Sequence, residues 1–298
     1  MKLYRLRGFL NRSPAISACY STPMDRQCAF ANHPGPIKDY FKKLMAVISK
    51  YQIREENMWN MDEKGFTLGT ANRSKVIAHA GRRPTKTTHN GTRELITIIE
   101  TCGAKQVMLS PMVVFKGAAH YKGWYTEVTD EKHAYFTYSP KGTYESNPHY
   151  LANSSKGYTT DEIGLDWLKK FDAHTKPAEV AEYRVLLLDG YRSHYNLRFC
   201  EYAWDNKIIL VSYPGHSTHL LQPLDVGLFS PLQKAYGDAV AAHMEETRTG
   251  VAKEIFWAFY CAAQASAYTT GSIKCAWRAT GIVPYNPNAV LTKLPGTP

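Results

Sequence analysis

Cysteine is scarce in this sequence and follows no pattern. Six cysteines, at positions 19, 28, 102, 200, 261 and 275, are spread over 298 residues without a CxxC pair. That spacing excludes the usual structural zinc knuckles and a disulfide framework, and it points to a reducing compartment. Long apolar runs are also lacking. None approaches the ~20 residues needed to span a bilayer, and positions 1–10 alternate Lys and Arg with apolar residues, unlike a secretory leader. No membrane partner is expected. No repeat of solenoid or propeller period is present. The one near-repeat, Tyr138-Ser-Pro-Lys-Gly142 against Asn153-Ser-Ser-Lys-Gly157, is local and marks residues 139–153 as a surface loop.

Acidic residues are in short supply. Asp and Glu number 26 against 36 Lys and Arg, a net charge of +10 with a sequence pI near 9.2. Such a balance speaks for an anionic partner, and DNA is the expected one. Residues 1–50 carry nine basic side chains against Asp25 and Asp39. A second basic stretch holds Lys64, Arg73, Lys75, Arg82, Arg83, Lys86 and Arg93, interleaved with Thr, Asn, His and Gly suited to phosphate contact.

What is present is enough for a large folded domain: 44% hydrophobic residues, 20 Tyr and six Trp. Residues 1–36 lack periodicity. Ile37, Phe41, Leu44, Ile48 and Tyr51 then recur at helical spacing after Pro36. Asn57–Asp62 reads as a strand ending in an acid. Lys75–Ala80, Glu94–Cys102 and Val107–Phe115 continue it as a meander, and residues 116–158 read as loop-like and aromatic. Thr159-Thr-Asp-Glu162 matches a capping box ahead of a helix marked by Ile163, Trp167 and Phe171. Tyr183–Leu188 reads as a strand buried on both faces, ending at Asp189. A helix follows near His194–Trp204, then a strand at Ile208–Tyr213 and a helix from Asp225 to about Thr247. Residues 251–281 read as helical, and the last 17 residues, with four prolines, as a frayed end.

This order predicts an α/β fold with a ribonuclease-H-like mixed sheet flanked by helices. The expected division is a basic linker and helix at 1–50, a catalytic domain at 51–248 with an insertion at about 116–158, and a helical extension at 249–298.

Three aspartates occupy informative places: Asp62 at a strand end, Asp189 after the buried strand and Asp225 in a first helical turn. Taken singly, each is a turn or cap residue. Taken together, three carboxylates at the mouth of one sheet would repel one another unless cations neutralised them. Oxygen-only ligation suits Mg²⁺ or Mn²⁺, and two such ions suit phosphodiester chemistry. Glu63, next to Asp62, should point to the opposite face. His216 and His219 form an H-x-x-H pair without a third ligand at zinc spacing. They read, with His194 and Gln222, as supporting residues around the acids.

At these residues the sequence resembles a known family. Trp59-Asn-Met-Asp-Glu-Lys-Gly-Phe66 resembles the first acidic motif of the pogo-type DDE superfamily endonucleases, relatives of the mariner transposases and of centromere protein B. Leu187-Leu-Asp-Gly-Tyr-Arg-Ser-His194 resembles the second. Tyr213-Pro-Gly-His-Ser-Thr-His-Leu-Leu-Gln-Pro-Leu-Asp-Val-Gly-Leu-Phe229 resembles the third and most specific. The 35 residues between Asp189 and Asp225 fit the fungal branch, and Thr280–Pro287 resembles the closing motif. Tyr191 departs from the His often found there. The resemblance implies DNA cleavage and strand transfer by Asp62, Asp189 and Asp225 with divalent metal, a nuclear location and room for a homodimer. Members of the family carry tandem helix-turn-helix units ahead of the catalytic domain, and only residues 1–35 stand there in this sequence. The alternative expectation is therefore a transposase-derived DNA- or chromatin-binding protein that does not cut, or an inactive relic.

Overall fold

The computed structural model describes residues 33–68, 94–116, 135–139, 161–177, 179, 182–190, 196–247 and 249–294. The first described element is helix α1 (Pro34–Tyr51), opened by two prolines in its first turns and by the His33 side chain, which accepts from the Gly35 amide at 3.2 Å. It buries Ile37, Tyr40, Phe41 and Leu44, the face that the spacing marks. Strands β1 (Met58–Thr67), β2 (Leu95–Gly103), β3 (Met112–Lys116) and β4 (Tyr135–Ser139) follow. Then come α2 (Asp161–Thr175), β5 (Arg184–Leu188), α3 (Leu197–Asp205) and β6 (Ile208–Ser212).

The six strands form one sheet in the order β4-β3-β2-β1-β5-β6. β1 pairs antiparallel with β2 and parallel with β5, and β5 pairs parallel with β6. This is the mixed sheet of a ribonuclease-H-like fold, as expected. Alternation divides its side chains between two cores. Trp59, Met61, Ile99, Leu186 and Leu188 pack against Trp167 and Phe171 of α2 and Phe199 of α3. Met58, Phe66, Ile98, Val185 and Leu187 face the other side, under α1 and the C-terminal helices. β5 contributes to both, which is why it reads as a continuous apolar run.

Several boundaries differ from expectation. β1 does not end at Asp62; β2 holds it in register from Trp59↔Gly103 to Thr67↔Leu95. β3 starts only after Pro111, which has no amide to donate to a ladder, and Met108 makes just an isolated bridge to Cys102. β4 falls within the stretch that reads as loop-like. The helix expected from Asp225 is two pieces, a π-helical turn (Leu224–Leu228) and α5 (Phe229–Thr247), and a short helix α4 (Thr218–Leu221) precedes them. Residues 251–281 form two helices, α6 (Lys253–Ala267) and α7 (Thr270–Ala279), the latter capped by Thr269, whose hydroxyl accepts from Ser272 at 3.1 Å. The chain end is not frayed through 294. It forms α8 (Asn288–Leu291), and Ile282, Val290, Leu291 and Leu294 are buried. The strand expected at 75–80, the capping residue Thr159 and the loop at 140–153 lie outside the described residues.

The core does not divide at residue 248. Trp257, Tyr260, Ile273 and Trp277 of α6 and α7 belong to the same buried cluster as Phe66 and Leu187 of the sheet. Phe66 alone meets Tyr236, Phe256 and Tyr260 edge-on. On the other face, a buried ion pair fixes α2 to the start of β5. Arg184 donates to Asp172 Oδ1 at 2.7 Å, to Thr175 Oγ1 at 2.9 Å and to the Asn206 carbonyl at 2.7 Å.

Candidate active site

The parallel ladder between β1 and β5 ends at Asn60↔Leu187. Two residues further along each strand stand Asp62 and Asp189, in the same register. β5 stops at Leu188 and β1 runs on to Thr67, so Asp189 stands just past the end of the shorter strand. Ligands tend to bind at such carboxyl ends of parallel strands. The alternation places Asp62 on the face of Met58 and Phe66, and Glu63 on the opposite face. Asp62, Asp189 and Asp225 are all half-buried.

Asp225 arrives on the π-helical turn. It is the second residue of that turn, and the residue before the turn is Pro223 in helical conformation without a side-chain cap. Asp225 is therefore not a helix N-cap. π-Helical turns are rare and frequently found at functional sites. The turn is pressed against α7: a Cβ on Gly227 would stand 2.8 Å from the Ala276 Cβ and 3.1 Å from its Cα.

The three carboxylates sense one another. Burial raises the Asp62 carboxyl well above the usual carboxylate range. The charge of Asp225 adds to the rise, with smaller contributions from Asp189 and Glu63, while a hydrogen bond from the Glu63 amide at 2.8 Å opposes it. Asp62 thus lies within electrostatic reach of both other acids singled out from sequence. The structure does not close them into a ready-made site: among the described residues no three His, Cys, Asp or Glu side chains form a cluster that could hold a metal ion. An all-oxygen, mutually repelling donor set nonetheless fits the preference of Mg²⁺ or Mn²⁺ in kind.

The supporting residues scatter. His216 is exposed with φ of 60°, and His219 is exposed on α4, so the H-x-x-H pair forms no cation site with a third ligand among the described residues. Gln222 is buried two residues before the turn that carries Asp225, with no hydrogen-bond partner for its Oε1 among the described residues. Lys64 extends from the Asp62 face of β1, its ammonium 5.0 Å from the centre of the Phe229 ring. His194, Arg73, Lys75, Arg82, Arg83, Lys86 and Arg93 lie outside the described residues.

Two residues near the acids escape a sequence reading. Asn60 is fully buried two positions before Asp62. Period-two alternation from Asp62 could have found it. Glu100 is fully buried and stands opposite Asp62 in the β1–β2 ladder. Burial pushes its carboxyl up to about 8, opposed by a hydrogen bond from Gln264 at 3.3 Å. No local signal marks Glu100, because its partner is fixed by strand register alone. Cys102 is buried beside them and its thiol is pushed up by burial, so it is not a reactive thiolate.

A family model described as DDE superfamily endonuclease matches residues 92–280, a span that contains Asp189 and Asp225 but not Asp62. A curated protein named MFS-type transporter clz9, from Cochliobolus lunatus, is 33% identical over 258 residues, covering 86% of this chain and 26% of that protein. The chain thus spans about a quarter of that relative's length. No described helix is long and apolar enough to cross a membrane. Among solved structures, the Mos1 strand transfer complex matches with a TM-score of 0.57 and 10% identity, over 99% of this chain and 71% of that one. The Mos1 mariner paired end complex with Mn matches at 0.51 and 11%, over 95% and 70%. At such identities the likeness speaks for the fold.

Proposed function

The chain belongs to the DDE superfamily of endonucleases, and from that premise we propose that it is a pogo-type transposase catalytic domain that cuts and joins DNA at Asp62, Asp189 and Asp225. The supporting observation is that Asp62 and Asp189 stand in register on neighbouring strands and that the Asp62 carboxyl, raised first by burial, is raised further by the charges of Asp225 and Asp189. Turn and cap roles do not account for these placements, since Asp62 lies within a strand and Asp225 is the second residue of its turn, not its N-cap. A pair of Mg²⁺ or Mn²⁺ ions would relieve the repulsion, activate the attacking oxygen and stabilise the leaving one. The Mos1 mariner paired end complex, similar to this chain in fold, is known with Mn and with Mg.

The chain's own part is to hold the acids. β1 and β5 would hold Asp62 and Asp189 in register, and the π-helical turn would present Asp225. Lys64, on the same face of β1, would meet backbone phosphate, together with Arg73, Lys75, Arg82, Arg83, Lys86 and Arg93. DNA as substrate implies a nuclear location, and a homodimer would bring two ends together. The pogo-type assignment rests on the three acidic motifs and on the spacing of Asp189 and Asp225.

A second reading is a transposase-derived DNA- or chromatin-binding protein that does not cut. It is favoured by the lack of a ready-made metal cluster among the described residues. Supercoiled plasmid incubated with the chain and Mn²⁺ separates the two. The proposed function expects open circles that disappear with EDTA and with Asp189→Ala. Binding without nicking would establish the second reading.

A further inference from the structure

We propose that Asn60 is a positioning residue that clamps the three acid-bearing segments to one another before metal or DNA arrives. This rests on the reading of Asp62, Asp189 and Asp225 as the active acids. Asn60 is fully buried on β1. Its amide nitrogen donates to the carbonyl of Leu187 at 3.1 Å and to that of Met61 at 3.2 Å. Its Oδ1 accepts from the backbone amide of Leu224 at 3.1 Å and from the Cys102 thiol at 3.9 Å. Both amide protons and the carbonyl oxygen are thus occupied.

The partners define the role. Leu187 is two residues before Asp189, Leu224 is one residue before Asp225, and Asn60 itself is two residues before Asp62. One side chain therefore joins the segments of all three acids, which chain positions 62, 189 and 225 leave far apart in sequence. The bond to Leu187 falls where the β1–β5 ladder ends, so it extends the connection past the last strand pair towards Asp189. The bond to Leu224 takes up the first amide of the π-helical turn, whose preceding residue, Pro223, supplies no side-chain cap. Like-charged carboxylates push these segments apart, so something must hold them. A buried, fully satisfied amide does this without adding charge.

A side chain without these bonds would leave the acids to be gathered by the cation itself. Loss of the clamp should therefore raise the metal concentration required without a change of ligands. Second-layer residues of this kind typically alter metal affinity or activity by about 10–100-fold when removed. The test compares wild type, Asn60→Ser, Asn60→Ala, Asp62→Ala and Val185→Ala, the last a destabilised control in the β5 core. The readouts are the Mn²⁺ concentration for half-maximal nicking, the rise in melting temperature with Mn²⁺, and amide exchange at Leu224 without metal.

The expected result is a half-maximal Mn²⁺ concentration about tenfold higher in Asn60→Ser, an unchanged value in Val185→Ala, and slow Leu224 exchange in wild type. If the wild type responds to Mn²⁺ and Asp62→Ala does not, while Asn60→Ser keeps the wild-type half-maximal concentration, the clamp is overturned and the acids stand. If wild type shows neither a thermal nor a nicking response to Mn²⁺, both are overturned. Should neither Asn60 variant fold, rapid Leu224 exchange in wild type overturns the clamp and slow exchange supports it.

Discussion

Replacing Glu100 by Gln should change how stability depends on pH more than it changes stability in acid. Glu100 is fully buried on β2, opposite Asp62, and its carboxyl is raised from the ordinary 4.5 to about 8. Between those values the folded chain keeps a proton that the unfolded chain releases. Stability must then fall as pH rises through the window, by about 1.4 kcal/mol for each pH unit. From about pH 5 to about pH 7.5 this one carboxyl should remove roughly 3 kcal/mol, a large part of an ordinary domain's stability. Gln matches the neutral acid in size and can still accept from Gln264. The variant should equal wild type near pH 5 and exceed it by roughly 3 kcal/mol near pH 7.5. Urea denaturation of both proteins across that range, with m-values compared, measures the difference directly. Parallel stability profiles would refute the reasoning. They would mean that Glu100 is ionised in the folded protein, through water or a cation reaching it.

Other expectations rest on single contacts. Asp172→Ala leaves Arg184 buried without its carboxylate and should cost about 3–5 kcal/mol in urea titrations; a loss under about 1 kcal/mol would mean that the ion pair is dispensable. Gly227→Ala should push the π-helical turn off α7, costing about 1–3 kcal/mol by overpacking and reducing Mn²⁺-dependent nicking. Ala276→Gly in the same chain should restore both, and a double variant no better than the single one would contradict the close contact. DNA binding by this chain should be weak, with Kd of about 10⁻⁴–10⁻⁶ M, and steeply salt-dependent, since backbone phosphate contacts supply it. Competition binding at two salt concentrations checks this, and tight, salt-tolerant preference for one sequence would exclude it.

Some of this architecture is legible in the residues and some is not. Tyr183–Leu188 announces a strand buried on both faces because its side chains enter both cores. The motif around Asp225 announces an acid but not its setting, since a π-helical turn follows neither the helical nor the strand period. β1 reads as ending at Asp62 because polar residues follow it, yet Phe66 returns to the core and β2 carries the ladder through. The frayed reading of the chain end failed for a related reason. Pro284 and Pro287 break the pattern, but Gly281, with φ of 69°, turns the chain back so that Val290 and Leu291 reach the core. A Cβ at Gly281 would stand 2.2 Å from the Asn286 carbonyl oxygen, so only glycine makes that turn. Asn60 was open to inference from alternation. Glu100 was not, because only the β1–β2 register sets it opposite Asp62.

Equilibrium binding of Mn²⁺, followed by the spectroscopic signal of the free ion, bears most directly on whether Asp62, Asp189 and Asp225 act as one site. Wild type should bind about two ions per chain, and Asp62→Ala, Asp189→Ala and Asp225→Ala should each lose that binding while melting no lower than wild type in the absence of metal, because each removes one of three repelling charges. Binding unaffected by all three substitutions, or no binding by wild type together with an Asp225→Ala variant destabilised like a lost helix cap, by roughly 0.5–2 kcal/mol, would contradict it.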